Sequence, residues 1–207
     1  MLELRHIAKR FGTTEVLTDL NLRLDAGEIV ALTGPSGCGK TTVLRLIAGL
    51  EAPDQGEIHL GGRLVSRARW TLPPHQRELG CVFQEPRLWP HLTVRGNIEF
   101  ALAGRTRQER LERLEKVAQW TGLSALLDRH PAGLSGGQAR RVALARALAP
   151  GRRCVLMDEP LTNLDPASTL DLLEALRQAW REERFALLYI THDPAEIQAL
   201  DARTLTL

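Results

Sequence analysis

The 207 residues carry 43% hydrophobic and 25% charged side chains and a formal net charge of +2. That is the make-up of a folded globular domain long enough to bury its own core, with no charge excess that calls for a nucleic-acid partner. The three cysteines, Cys38, Cys81 and Cys154, form neither a C-x-x-C metal spacing nor a disulfide framework, which fits a reducing cytosol. Met1–His6 lacks a signal-peptide core. No apolar run approaches the ~20 residues that span a bilayer, so any membrane role is expected to come through a partner.

Residues 1–30 read as antiparallel strands, because Leu2, Leu4 and Leu20, Leu22, Leu24 alternate with polar neighbours. Between them, Lys9-Arg10-Phe11-Gly12 is expected to form a loop. Its aromatic fits two roles, core packing or stacking on a nucleotide base, and stacking contributes on the order of 1–3 kcal/mol at single-strand nucleic-acid sites. The run Glu28–Thr33 predicts a buried strand. It leads into Gly34-Pro35-Ser36-Gly37-Cys38-Gly39-Lys40-Thr41-Thr42, a full match to G-x-x-x-x-G-K-[ST], and then into a helix that stops at Gly49. Glycines let such a loop bring successive N–H groups close to a phosphate, and the helix N-terminus adds positive potential. In that setting Lys40 bridges outer phosphates and the Thr41 hydroxyl holds Mg²⁺; the simpler reading is a glycine-rich turn with a solvent lysine.

Pro53–Gly56 predicts a turn, Glu57–Leu60 a strand and Gly61-Gly62 another turn. Leu72-Pro73-Pro74 predicts loop, and Gly80–Phe83 a short strand ending at Gln84. Glu85–Leu92 is irregular. Helices are expected over Val94–Ala103 and Thr106–Thr121, the second with Leu111, Leu114, Val117, Ala118 and Thr121 on its apolar face and a solvated charged face opposite. Leu134-Ser135-Gly136-Gly137-Gln138 then opens a helix through Leu148, a second glycine turn at a helix start and so a second plausible anion site.

Cys154–Met157 predicts a buried strand ending on Asp158-Glu159, where an aspartate suits the second shell of a Mg²⁺ ion and its neighbour can polarise a water. Asp165 and Pro166 predict an N-cap and first helical residue. The helix that follows is expected to bury Leu170, Leu173, Leu176 and Trp180. Phe185–Ile190 predicts a strand ending at Thr191-His192, with His192 a candidate γ-phosphate contact. A helix from Pro194 to about Leu200 and a strand over Arg203–Leu207 complete the chain.

Together these residues resemble the nucleotide-binding subunit of ABC transporters over essentially the whole chain. The phosphate loop marks P-loop NTPases in general; Leu134–Gln138 upstream of Asp158-Glu159 marks the ABC class. Gln84, Asp165 and His192 fall at the places of its Q-loop, D-loop and switch histidine, and Phe11 at that of the adenine-stacking aromatic. Pro73-Pro74-His75-Gln76-Arg77 and Leu88–Val94 are similar to the bacterial importer subfamily. The resemblance implies an α/β fold: a P-loop NTPase (RecA-like) core with an N-terminal antiparallel β subdomain (1–84 and 151–207) and an inserted α-helical subdomain (85–150), all one ABC ATPase domain over 1–207.

The resemblance also implies ATP and Mg²⁺ as ligands and a head-to-tail dimer with a second copy of the chain. Gly34 through Thr42 and Asp165, with Phe11 on the base, would bind ATP, and Ser135, Gly136, Gly137 and Gln138 would complete the site from the other copy. Glu159 would be the general base, His192 the γ-phosphate and water contact, and Thr41, Gln84 and Asp158 the metal contacts. The helical subdomain and the loop around Trp89 would meet transmembrane permease subunits at the cytoplasmic face of the inner membrane, fed by a solute-binding protein. An exporter ATPase shares the catalytic residues, and a soluble non-transport ABC ATPase is a weaker rival, since no heptad run or zinc-bearing insertion separates loop from signature. The chain ends just past its last core strand, so no C-terminal regulatory lobe is expected, and a weaker dimer without membrane partners is. Asn163 departs from the small residues common in the D-loop.

Overall fold

The chain, described here over residues 1–207 by a computed structural model, alternates strands and helices in the order β1 (Leu2–Phe11), β2 (Thr14–Leu24), β3 (Ile29–Thr33), α1 (Lys40–Ala48), β4 (Gln55–Leu60), β5 (Arg63–Arg67), β6 (Trp70–Thr71), β7 (Leu79–Val82), α2 (Val94–Phe100), α3 (Arg107–Trp120), α4 (Gly136–Leu148), β8 (Cys154–Asp158), α5 (Pro166–Glu183), β9 (Ala186–Ile190), α6 (Pro194–Leu200) and β10 (Arg203–Thr206). Two units divide it. One holds Met1–Cys81, Arg153–Asp158 and Phe185–Leu207; the other holds Val82–Arg152 and Glu159–Arg184.

The first unit is built on two five-stranded sheets. One, in the order β2-β1-β4-β5-β6, is antiparallel, with Leu2 opposite Leu24 and Leu60, and Leu4 opposite Leu22 and Ile58. Its alternating leucines are buried while their neighbours face water. The other has the order β10-β3-β9-β8-β7, with β10, β3, β9 and β8 mutually parallel. β8 and β9 are buried at every residue and β3 at its first four, as the unbroken apolar runs of a doubly covered parallel sheet require. Burial also pushes the Cys81 and Cys154 thiols up to about 12, which keeps them protonated and inert.

Helix α1 packs on β8 and ends at Gly49, whose φ of 79° is the left-handed cap a glycine accepts most readily. Arg77 closes that helix end. Its Nη1 donates to the Leu46 and Ile47 carbonyls at 3.0 and 2.7 Å, its Nε to Leu72 O at 2.7 Å and its Nη2 to Val65 O at 2.9 Å and Ser66 Oγ at 2.6 Å. One buried guanidinium thus ties the last turn of α1 to β5, and burial lowers its pKa to about 10.

In the second unit α4 packs against α2, α3 and α5. Arg113 of α3 donates to Leu148 O and Ala149 O, capping the end of α4, and pairs with Glu183; Lys116 lies 3.4 Å from Glu182 and Glu183. The charged face of α3 is therefore partly an ion-pair seam to α5 rather than wholly solvated. Two further expectations are corrected. Lys9–Phe11 belongs to β1, with the hairpin turn at Gly12-Thr13, because cross-strand pairing of Arg10 with Glu15 and Phe11 with Thr14 carries the ladder to the tip. Helix α5 buries Leu172, Leu173, Ala175, Leu176 and Ala179, leaving Leu170 67% exposed and Trp180 half-buried. The apolar stripe is offset from the predicted one because the small alanines, not the tryptophan, face the packed side.

Candidate functional site

The parallel register of β3, β9 and β8 aligns the chain at one edge of the sheet. Ile190 is paired with both Leu32 and Asp158. Gly34 therefore lies two residues beyond the aligned row on β3 and His192 two beyond it on β9, while Asp158 ends β8 in the row itself. The carboxyl edge of a parallel sheet is where α/β folds gather ligand-binding groups. Asp158 is buried to 6% exposure and His192 is exposed.

The phosphate loop rises from β3. Gly34, Gly37 and Gly39 take φ of 145°, 81° and 106°, a sequence of conformations that only glycine adopts without strain. A Cβ on Gly39 would sit 2.9 Å from Leu17 and 3.2 Å from the Val16 carbonyl; one on Gly34 would sit 2.8 Å from Cys38 Sγ. The loop is thus pressed onto β2 and onto itself. Gly39 caps α1 without a side-chain acceptor, so the first-turn amides of α1 are met by no capping side chain. Lys40 Nζ, only 8% exposed as a residue, donates to the Gly34 and Pro35 carbonyls at 2.8 and 3.0 Å. Thr41 is exposed. An arch of amides with one cation beneath it and a hydroxyl at its rim fits a polyphosphate and a hard cation. Phe11, 45% exposed, presents a ring with Lys9 Nζ 5.1 Å from its centre.

The second unit carries the other named residues. Ser135 Oγ accepts from the Gln138 amide at 3.2 Å and Gln138 Oε1 accepts from the Ser135 amide at 3.1 Å, a reciprocal capping box. Both side chains are consumed in starting α4, and the first-turn amides of Gly136 and Gly137 remain as donors without intrahelical acceptors. The two glycines differ. A Cβ on Gly137 would meet Ser168 Oγ at 2.7 Å, whereas one on Gly136 would meet nothing within 4 Å. Asp165 caps α5, and hydrogen bonding to Ser168, whose amide donates at 3.0 Å, holds its carboxyl below the usual range. Glu159 follows Asp158 with a φ of 44° and accepts from the Thr162 hydroxyl at 3.3 Å. Gln84 is exposed just after β7.

Several supporting residues escape a reading by motif. Asn97, wholly buried, accepts from the Trp89 amide at 2.9 Å and donates to Trp89 O, Leu92 O and Thr93 O, so it fixes the Trp89–Thr93 loop. The Trp89 ring centre lies 4.3 Å from that of the exposed Phe100, tilted by 46°, and 4.9 Å below Arg146. Tyr189, buried in β9, donates to Glu196 at 2.7 Å and pins α6 across the His192 turn; burial, then the Glu196 charge, hold its phenol protonated. Asn97 leaves a sequence signal, a polar residue in an apolar helical stripe, and Trp89 lies in the importer-like stretch Leu88–Val94; Phe100, Arg146 and the Tyr189–Glu196 pair leave none.

The family described as "ABC transporter" matches residues 17–162. The molybdenum import ATP-binding protein ModC of Paramagnetospirillum magneticum is 48% identical over 91% of this chain and 52% of its own length. The Fe(3+) ions import ATP-binding protein FbpC 2 of Haemophilus influenzae is 44% identical over 95% of the chain and 56% of its own length. The trehalose/maltose import ATP-binding protein MalK of Thermococcus litoralis is 43% identical over 94% and 54%. The chain thus spans about half the length of the curated relatives it matches. Among solved structures, the dimeric post-hydrolysis state of the ATP-binding cassette MJ0796 bound to ADP and Pi superimposes with a TM-score of 0.86 at 29% identity, covering 100% of this chain and 94% of that one.

Proposed function

The chain belongs to the ABC transporter family, and on that premise we propose that it binds and hydrolyses ATP as one of two head-to-tail copies that power solute import through separate membrane subunits. The observation that carries this reading is the pair of glycine-led helix starts, Gly34–Thr42 before α1 and Ser135–Gln138 before α4, one in each unit. Gly136 is unused by packing in its own chain, which suits an amide reserved for a second copy. The relatives' names favour import over export.

In this reading the amides of the Gly34–Thr42 loop and the Lys40 ammonium hold the β- and γ-phosphates, and Phe11 stacks on the adenine. Mg²⁺, when bound, would supply charge neutralisation at the phosphate oxygens; Thr41, Asp158 and Gln84 are the residues that would hold it, a small protein share of the kind Mg²⁺ takes beside substrate phosphates. Glu159 takes the proton of the attacking water. His192 keeps that water and the γ-phosphate in line. The Gly136 and Gly137 amides of the second copy meet the charge that develops on the transferred group, with Asp165 beside them. Because each site is shared, ATP closes the pair and hydrolysis releases it.

No helix is long and apolar enough to cross a membrane. Attachment to the cytoplasmic face of the inner membrane is assigned to permease subunits that rest on the second unit around Trp89 and Phe100, with a solute-binding protein upstream. Lys40→Ala tests the reading. A charge-assisted hydrogen bond contributes about 1.5–3 kcal/mol, so the variant should bind ATP about 10–10²-fold more weakly and release no phosphate above background. Wild-type phosphate release by this variant would dismiss the assignment.

A further inference from the structure

A guanidinium in the second unit gathers three separate stretches of backbone. Arg140 stands in the first turns of α4, two residues past Gln138. Its Nη1 donates to Gln84 O and Pro160 O, both at 2.8 Å, and its Nη2 to Thr162 O at 2.5 Å. All three acceptors are neutral carbonyls, so the contact specifies backbone position more than charge balance. The acceptors flank residues that matter for the proposed chemistry: Gln84 itself, and the segment that runs from Glu159 to Asp165.

Two residues of that segment are left-handed. Glu159 and Asn163 have φ of 44° and 61°, a left-handed conformation that a side-chain-bearing residue keeps only where its surroundings over-determine it. The bonds internal to the turn are long. Thr162 N to Glu159 O, Leu164 N to Leu161 O and Thr162 Oγ1 to Glu159 Oε2 all measure 3.3 Å, beyond the usual 2.9–3.0 Å for amide donors. Arg140's bonds are shorter and charge-assisted, and charge assistance roughly doubles the strength of a hydrogen bond. They fall on Pro160 and Thr162, between the two left-handed residues. The Thr162 hydroxyl in turn donates to the Glu159 carboxylate.

We infer that Arg140 is a positioning residue for hydrolysis: through the Pro160 and Thr162 carbonyls it fixes the turn that aims the Glu159 carboxylate, and through the Gln84 carbonyl it joins that turn and Gln84 to the helix that begins with Ser135–Gln138. The three functional segments of the second unit then move as one piece with α4. The inference rests on the proposed ATPase function and on Glu159 as base. It differs from a purely structural anchor in acting on turnover more than on nucleotide binding, since Arg140 bonds carbonyls around Glu159 and Gln84 and none in the Gly34–Thr42 loop.

The test compares the full chain with Arg140→Ala, Thr162→Val, the double variant and Glu159→Gln, measuring kcat, ATP affinity by equilibrium binding, and amide hydrogen exchange over residues 161–164. A small misplacement of a reacting group costs about 10²-fold, so Arg140→Ala should lower kcat by about that factor. ATP affinity should stay within about threefold, and exchange of the 161–164 amides should speed up. Thr162→Val should lower kcat less, and the double variant should be no worse than Arg140→Ala, because both act through Glu159. A folded Arg140→Ala protein with kcat within about threefold of wild type, or additive losses in the double variant, overturns the inference. If Arg140→Ala does not fold, Thr162→Val decides, and an unchanged kcat there overturns it. Wild-type turnover in Glu159→Gln would sink the base assignment and this inference together; loss in Glu159→Gln with none in Arg140→Ala sinks the inference alone.

Discussion

Glu159→Gln should lower ATP turnover about 10²–10⁴-fold, the usual worth of a general base, while leaving ATP affinity within a few-fold of wild type. The substitution keeps the shape of the side chain and an oxygen to accept from the Thr162 hydroxyl, now 3.3 Å from Oε2. It removes only the capacity to take a proton. The left-handed backbone at Glu159 is as open to glutamine as to glutamate. ATP that binds but is not consumed should hold two copies closed, so light scattering of the variant should report a particle of about twice the 23.0 kDa chain mass when ATP and Mg²⁺ are added. Turnover at the wild-type rate would remove Glu159 from the mechanism.

Gly136→Asp should be equally severe for a different reason. A Cβ at Gly136 would meet nothing within 4 Å beyond its chain neighbours and the backbone of its own helix. An aspartate in the first turn of α4 gains about 0.3–1 kcal/mol from the helix dipole and escapes the cost of glycine in a helix, so the melting temperature should hold or rise. The new carboxylate would lie beside the Gly136 and Gly137 amides, which the proposed pairing sets against the γ-phosphate of the second copy's nucleotide. Like charges placed together at an interface cost several kcal/mol, enough to suppress turnover at least about 10²-fold. Binding of ATP to the single chain should be unchanged, because the Gly34–Thr42 loop is untouched. Undiminished hydrolysis by a folded Gly136→Asp protein would show that α4 does not face a nucleotide. Gly137 could not serve for this test, since its substitution collides with Ser168 inside the chain.

What could be read from the sequence follows from how local each signal is. The apolar runs of β3, β8 and β9, the glycine stop at Gly49, the N-cap Asp165 and the helix start at Pro194 are written in neighbouring residues and appear as expected. The periodicity misplaces the α5 stripe because leucine and tryptophan weigh more in it than alanine, yet Ala175 and Ala179 sit on the packed face. Gly12 breaks the strand pattern early and so points to a loop at Phe11, whereas pairing with Thr14 extends the strand. The roles of Ser135 and Gln138 are only half legible: the S-x-x-Q spacing is a capping box, and each side chain accepts from the other residue's backbone amide, which shifts the anion-binding task to the glycine amides. Arg77, Arg140 and the Tyr189–Glu196 pair could not be found at all. Their meaning lies in carbonyls and carboxylates that other elements bring to them, and no spacing records which carbonyl a guanidinium will reach.

The shared site is the claim on which the rest depends, and the order of the reaction in protein concentration addresses it most directly. Phosphate release by the wild-type chain, measured at saturating ATP and Mg²⁺ across dilutions that take it from associated to monomeric, should rise as the square of protein concentration at the dilute end and become linear only once the paired form dominates. Release that stays strictly linear down to concentrations where light scattering detects monomer alone would mean that one copy contains a complete site, and would contradict the account.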